Sequence, residues 1–374
     1  MATKAPWASQ YMIQQTSSLT DAPTFVSTTK VGLEGTAAAN GVYRMGLTNT
    51  PHIIPGIGTI EHPTTTGLAE PFTTMDYSQV VGEPASVTLE MPLNAYNFSL
   101  FMLLLFQGGC SEAAGKLTAV AYTSSAPTYY CSVVRVMVDN TATKPNVDEI
   151  SHILYGGICK TLTISSGERD ILKLTAEIAG SWARCFTSTD LPNYKMLIAN
   201  ISATYWNSFA FMSSGQEANR TPLKFQACTS KIELDPVGAP GVYSTVGFDK
   251  FSITFTNNAV HRYYANSSIQ SWILGRLKGT GSVTIPWGDT NYGGNSPLLD
   301  FIAGQDFGLR LYTNDGATTD NSIDLTMNVR LTESPISTDP EISSDVTFEG
   351  VYDGTNAAFS IKAGYSATYL DRIP

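Results

Sequence analysis

Residues 158–178 read ICKTLTISSGERDILKLTAEI. Apolar and polar residues alternate through 160–164 and again through 172–178, and a period of two places successive side chains on opposite faces of a β-strand. Between the two runs, SSGERD (165–170) supplies the Gly and Asx residues that a tight hairpin requires. The stretch predicts an antiparallel hairpin with one face of each strand in a core.

Working outward, LTMNVRLT (325–332) puts Leu325, Met327, Val329 and Leu331 on one face, and FSITFT (251–256) behaves in the same way. TNDGAT (313–318) is a second turn. Helical segments are few. The best are 98–107 and 297–303, the latter opened by Pro297 after Ser296, a natural N-cap. The fold class expected is mainly β, with one short helix in each half.

An internal repeat organises the chain. GEPASVTLEMPLNAY (82–96) precedes the apolar helix 98–107, and GTGSVTIPWGDTNY (279–292) precedes SPLLDFIAGQ (296–305). Ser86-Val-Thr-Leu89 aligns with Ser282-Val-Thr-Ile285, and Tyr96 with Tyr292. A hairpin follows in each copy, over 160–178 and 325–349. The first copy is roughly two dozen residues longer, an excess assigned to an extended loop at about 115–150 that includes YYCSVVRVMV (129–138). Two β units are expected, 1–185 with an N-terminal arm and 186–374.

The 374 residues include 22 Lys and Arg against 32 Asp and Glu, a formal charge of −10. A protein that grips nucleic-acid phosphates clusters its cations, so this balance argues against such a role. Only 14% of residues are charged, against roughly a quarter in ordinary soluble domains, so much of the surface is expected to be covered by something. The longest apolar run, 98–106, is about half the length of a membrane span, and residues 1–14 do not read as a signal peptide; no membrane association is expected.

Cys110, Cys131, Cys159, Cys185 and Cys228 are widely spaced and odd in number, and read as free, buried thiols. His52, His62, His152 and His261 form no metal-binding spacing, and no Gly-x-Ser-x-Gly elbow is present. Gly56-Ile-Gly58 and Gly279-Thr-Gly281 read as hairpin turns rather than nucleotide loops. Asp300, Asp306, Asp315 and Asp320 are not fixed as a catalytic pair by anything in the sequence. No enzyme activity, metal or cofactor is expected. The 18 Tyr, 16 Phe and 5 Trp suit surfaces buried on assembly. Tyr205, Trp206, Tyr263 and Tyr264 are the candidate inter-subunit anchors, with ordinary core positions as the alternative.

The duplicated strand, Asn/Tyr loop and short apolar helix, followed by the hairpin 158–178, resemble the tail tube proteins of long-tailed, siphovirus-like bacteriophages. DKFSITFTN (249–257) followed by LKGTGSVTIPW (277–287) has the same look, and the resemblance spans most of 80–350. It implies small β-sandwich or barrel domains whose strands join between subunits into a closed inner barrel. The implied partner is the protein itself, as stacked rings of six subunits or of three two-domain subunits. A tape measure protein and a tail terminator are implied as further partners, with DNA passing through unbound during genome ejection. The implied location is the virion tail, after synthesis in the host cytoplasm. Glu90, on the strand repeated at 282–287, is the candidate lumen-facing acid. The alternative reading is a carbohydrate- or receptor-binding β-rich virion protein using Trp206 or Trp287 as an aromatic platform.

Overall fold

Strand-forming alternation becomes pairing in a computed structural model of the chain. It describes residues 9–16, 42–45, 47–62, 77–93, 95–113, 116–119, 124–137, 151–167, 170–185, 230–235, 244–264, 267–286, 306–314, 322–333, 336–337, 343–351 and 359–364. The first half carries β1 (Ser9–Thr16), β2 (Val42–Met45), β3 (Ile54–His62), β4 (Tyr77–Pro92), α1 (Ala95–Phe106), β5 (Cys110–Ala113), β6 (Lys116–Ala119), β7 (Tyr130–Met137), β8 (Ser151–Ser166), β9 (Lys173–Gly180) and β10 (Trp182–Cys185). The second half carries β11 (Ser230–Asp235), β12 (Ser244–Val246), β13 (Lys250–Thr256), β14 (Val260–Tyr264), β15 (Ser267–Ile273), β16 (Lys278–Pro286), β17 (Asp306–Asn314), β18 (Ser322–Glu333), β19 (Ile336–Ser337), β20 (Ser343–Gly350) and β21 (Phe359–Gly364). The fold is mainly β, as the alternation predicts.

Both predicted hairpins form, β8 with β9 and β18 with β20, and the core faces are those the alternation marks. Leu325, Met327, Val329 and Leu331 are buried while Asp324, Thr326 and Asn328 are partly exposed. The segment 130–137, expected inside an extended loop, is instead strand β7, paired with both β1 and β8, and 116–119 is strand β6. Its Val-rich composition favours a pleated, half-buried surface, and pairing partners on both sides supply one.

The strand order repeats. One set runs β2-β1-β7-β8-β9-β4-β3 and the other β12-β11-β17-β18-β20-β16-β13, every neighbouring pair antiparallel. Register repeats too. Val87, Thr88 and Leu89 face Ile178, Glu177 and Ala176; the aligned Val283, Thr284 and Ile285 face Val346, Asp345 and Ser344. In each set the strand after the final hairpin folds back onto the first half of the long strand, β10 onto β8 and β21 onto β18.

Helix α1 is apolar on all sides and has neither acidic residues in its first turn nor basic ones in its last. Such a helix must be enclosed. Every residue from Phe98 to Phe106 is buried, and each large apolar side chain contributes roughly 1.5–3 kcal/mol by leaving water. The helix ends where Gln107 takes the left-handed conformation (φ 50°). Gln107 Oε1 accepts the backbone N–H groups of Thr128 and Tyr129 at 3.0 and 2.8 Å, pinning the chain that enters β7 to the helix terminus. The second expected helix, 297–303, lies outside the described residues.

The Gly-x-Gly segments are strand residues, not turns: Gly56 and Gly58 lie in β3, Gly279 and Gly281 in β16. In β16 the reason is close approach rather than turning. A Cβ on Gly281 would stand 2.5 Å from Phe348 Cζ and 2.6 Å from the Ser252 carbonyl oxygen.

Candidate assembly surface

Six consecutive strands, β4-β9-β8-β13-β16-β20, join the two sets through the β8–β13 pair. Residues 161–166 of β8 face 251–256 of β13 in six register pairs. One side of this sheet is core, with Leu89, Ala176, Leu162, Ile253 and Ile285 all buried. The other side is carpeted with hydroxyls.

Register rows make this concrete. One row reads Glu90, Thr175, Thr163, Thr254, Thr280, Glu349; the next reads Pro92, Lys173, Ser165, Ser252, Ser282, Thr347. Thr163 Oγ1 and Thr254 Oγ1 are 2.9 Å apart across the junction. The acids on this side are Glu90, Glu177, Asp345 and Glu349, offset by Lys173, Lys250 and Lys278, with Lys278 paired to Glu349 at 3.0 Å. Hydroxyls, rather than an excess of acid, dominate the face.

Glu90 is exposed at one end of its row. Its backbone is clipped by Asn49, a residue with no obvious sequence signal: Asn49 Oδ1 accepts the Glu90 N–H at 3.1 Å and Asn49 Nδ2 donates to the Thr88 carbonyl at 3.0 Å. Thr48 N–H donates to the Glu90 carbonyl at 2.8 Å. Of the expected anchors, Tyr263 and Tyr264 lie in β14, which among the described residues pairs only with β15 in a separate two-stranded ribbon. Tyr205 and Trp206, like Trp287, lie outside the described residues. Glu90 in β4 and Tyr263 and Tyr264 in β14 thus stand on different sheets.

The β14–β15 ribbon is tied back to the first strand set. Asn257, fully buried, donates from Nδ2 to the Cys159 carbonyl at 2.7 Å and accepts the Ala259 N–H on Oδ1 at 3.1 Å, while its own N–H donates to the Lys160 carbonyl at 3.0 Å. Cys159 needs this partner because the β8–β9 register slips between Cys159 and Thr161. Trp272 Nε1 donates to the carbonyl of Gly156 at 3.0 Å, and a small core of Ile158, Ala179, Ala259, Trp272 and Leu274 seals the joint.

Asp306 is gripped by Arg330 through two hydrogen bonds of 2.7 and 3.1 Å, not set beside a second carboxylate; Asp300, Asp315 and Asp320 lie outside the described residues. Cys131 and Cys159 are buried and Cys110 partly so, all with free thiols. Burial pushes the Cys110 thiol up to about 12, and raises Cys131 and Cys159 as well, so all three resist forming the reactive thiolate.

A basic cluster lies across β1, β7 and the first half of β8. Tyr11, Arg135 and His152 are cross-strand neighbours, and Arg135 Nη1 is 3.3 Å from His52 Nδ1. Burial, then the Arg135 charge, then His52, hold the His152 imidazole below its ordinary value of 6.5; burial beside Trp272 lowers His261. The folded state therefore refuses protons that the unfolded chain accepts, and stability falls as pH drops below about 6.5 and through the lowered native values. We expect urea midpoints to decline on acidification through that window, and a His152→Gln/His261→Gln chain to decline less. An equal decline in both would remove these imidazoles as the cause.

No family model and no curated protein matches the chain. Among solved structures, the tail tube of phage SPP1, determined by solid-state NMR and cryo-EM, is a weak structural neighbour. The identity is 11% and the TM-score 0.26, with 39% of this chain and 83% of that chain covered.

Proposed function

We propose that the chain is a structural virion subunit that closes into rings stacked as a phage tail tube, a conduit for DNA during genome ejection. Three copies, each contributing two β units (1–185 and 186–374), make a ring of six units. The observation that carries this reading is the repeated strand order joined edge to edge at β8–β13, so that the chain already contains one unit-to-unit junction of a larger assembly. Closing such an assembly removes strand edges that would otherwise pair without control.

The hydroxyl face of the β4-β9-β8-β13-β16-β20 sheet is the wall presented to DNA. Ser and Thr offer no fixed cations to phosphates, and the interspersed acids repel them, so a duplex slides rather than sticks. Glu90 faces the lumen in this arrangement, and a tape measure protein and a terminator would be the partners at the tube's bore and end.

Negative-stain micrographs of the purified chain test the reading. Rings or tubes are expected, and Glu90→Lys is expected to leave assembly intact while impairing DNA passage. A monomer that persists over varied salt and concentration would overturn the proposal. A discrete oligomer that binds glycans and never polymerises would favour the carbohydrate-binding alternative.

A further inference from the structure

Residues 47–53, LTNTPHI, carry the chain from β2 to β3 and are held at two points. The first is β4. Its pairing with β3 reaches only Ser86, and beyond it Thr48 and Asn49 occupy the same edge: Thr48 N–H donates to the Glu90 carbonyl, and Asn49 bonds both the Glu90 N–H and the Thr88 carbonyl. The second point is His52, whose Nδ1 lies 3.3 Å from Arg135 Nη1. Beside it the Tyr11 hydroxyl donates to the Pro51 carbonyl, and the Arg135 guanidinium lies 6.0 Å from the centre of the Tyr11 ring. Pro51 and Ile53 are buried, whereas His52 is exposed to solvent. Only Thr50 and Pro51 separate Asn49 from His52, and the fixed φ of proline stiffens the link.

A guanidinium donates hydrogens and has no lone pair with which to accept, so its bond to His52 requires a lone pair on Nδ1 and leaves the imidazole proton on Nε2. A second proton, placed on Nδ1, removes that lone pair and sets two cations at hydrogen-bond distance. The groups that face His52 are Tyr11 from β1, Arg135 from β7 and His152 from β8, with Cys185 of β10 opposite His152 in register. Neutral His52 therefore holds the strap to Arg135, and the hold is lost as pH falls.

We propose that Asn49 is the positioning residue for Glu90 and that the strap 48–53 makes its grip sensitive to protons: acid breaks the His52–Arg135 bond, the strap loosens, and the β4 backbone at Thr88 and Glu90 is released. The coupling runs through six consecutive residues with a bonded partner at each end, so it needs no rearrangement of the strands themselves. It belongs to the single chain. Its meaning for a conduit, a wall that holds its Glu90 carboxylates less firmly in acid, rests on the reading of the hydroxyl face as a lumen.

Amide hydrogen exchange of the full chain tests it, expressed as protection factors so that the pH dependence of intrinsic exchange drops out. From about pH 8 to pH 5, the range in which imidazoles commonly change charge, protection of the Thr48 and Glu90 amides is expected to fall about threefold or more. The Leu93 N–H, bonded to Leu172, and the Val351 N–H, bonded to Asn328, are the controls and are expected to hold steady. In His52→Gln the side-chain oxygen still accepts from Arg135 but takes no proton, so the profile is expected to be flat. Asn49→Ala is expected to lower Glu90 protection about threefold or more at every pH. A flat wild-type profile, or controls that fall in parallel, overturns the coupling, and an equal fall in His52→Gln removes His52 as its source. Unchanged Glu90 protection in Asn49→Ala overturns the positioning role. If micrographs show no rings, the lumen reading fails, while the exchange result on the single chain stands or falls by itself.

Discussion

Replacing Asn257 by leucine is expected to lower stability by about 2–5 kcal/mol, read as a shift in urea midpoint. Leucine matches the side chain's size but leaves two buried backbone groups, the Cys159 carbonyl and the Ala259 N–H, without the partner that Asn257 supplies. Each orphaned group costs roughly 1–3 kcal/mol, because in the folded state water does not replace the lost bond. Aspartate at the same position is expected to be no better: it retains an acceptor for Ala259 but points a carboxylate oxygen at the Cys159 carbonyl. The loss falls on the joint between the two strand sets, so amide exchange should accelerate in β14 and β15 and around Gly156 before it does so in β18 and β20. A midpoint within about 0.5 kcal/mol of wild type would show that the Cys159 carbonyl finds another donor and that Asn257 is not the clasp.

Phe255→Ala is expected to cost about 3–5 kcal/mol, the range for emptying a buried aromatic site. Phe255 is fully buried on β13, and its ring centroid lies 5.5 Å from that of Phe106, the last residue of α1. A helix that follows the first repeat strand therefore packs on a strand of the second set, and the cavity would open between them. Phe255→Leu, closer in volume, should cost less than about 1.5 kcal/mol if its neighbours repack. The two substitutions together separate packing from backbone effects, since both leave the β13 ladder chemically unchanged. Equal costs for leucine and alanine would mean that the tilted ring–ring contact with Phe106, rather than filled volume, carries the stabilisation.

Several features were legible in the residues alone because they depend on local chemistry. Alternation at 251–256, 160–164 and 325–331 named both the strands and their buried faces, since a period of two leaves no choice once one face must leave water. The helix at 98–107 is legible from its length and unbroken apolar character; it begins three residues earlier, at Ala95, and ends one earlier, at Phe106. The repeat Ser86-Val-Thr-Leu89 and Ser282-Val-Thr-Ile285 was visible as text, and pairing gave it meaning as two strands with the same neighbours. Segment 130–137 reads as part of a loop because its counterpart in the second copy, β17, has an unrelated sequence and so offers no strand to align with β7. The glycines of β16 look like turn residues in the sequence because glycine also serves close approach, and what approaches Gly281 is Phe348, distant in the chain.

The candidate surface divides in the same way. Thr and Ser at alternate positions announced a polar face, but its composition as a continuous hydroxyl wall with nearly balanced charge required six strands to be placed in register. Net charge had suggested an acidic lining; on this face Lys173, Lys250 and Lys278 offset most of the acid. Asn49 and Asn257 carried no signal at all, because each serves a backbone group more than thirty residues away.

The sequence by itself determined that this protein is built from amphipathic strands, which residues enter the core, and that its pattern occurs twice. Tertiary structure alone decided which edges meet: β8 with β13 within the chain, and, among the described residues, β3 with β4 and β19 with β20 only. The physical reason is that strand edges join through backbone N–H and C=O groups, which every residue but proline presents alike. Side-chain pattern therefore specifies a strand's faces but not its partner, and the partner emerges only when the whole sheet is assembled.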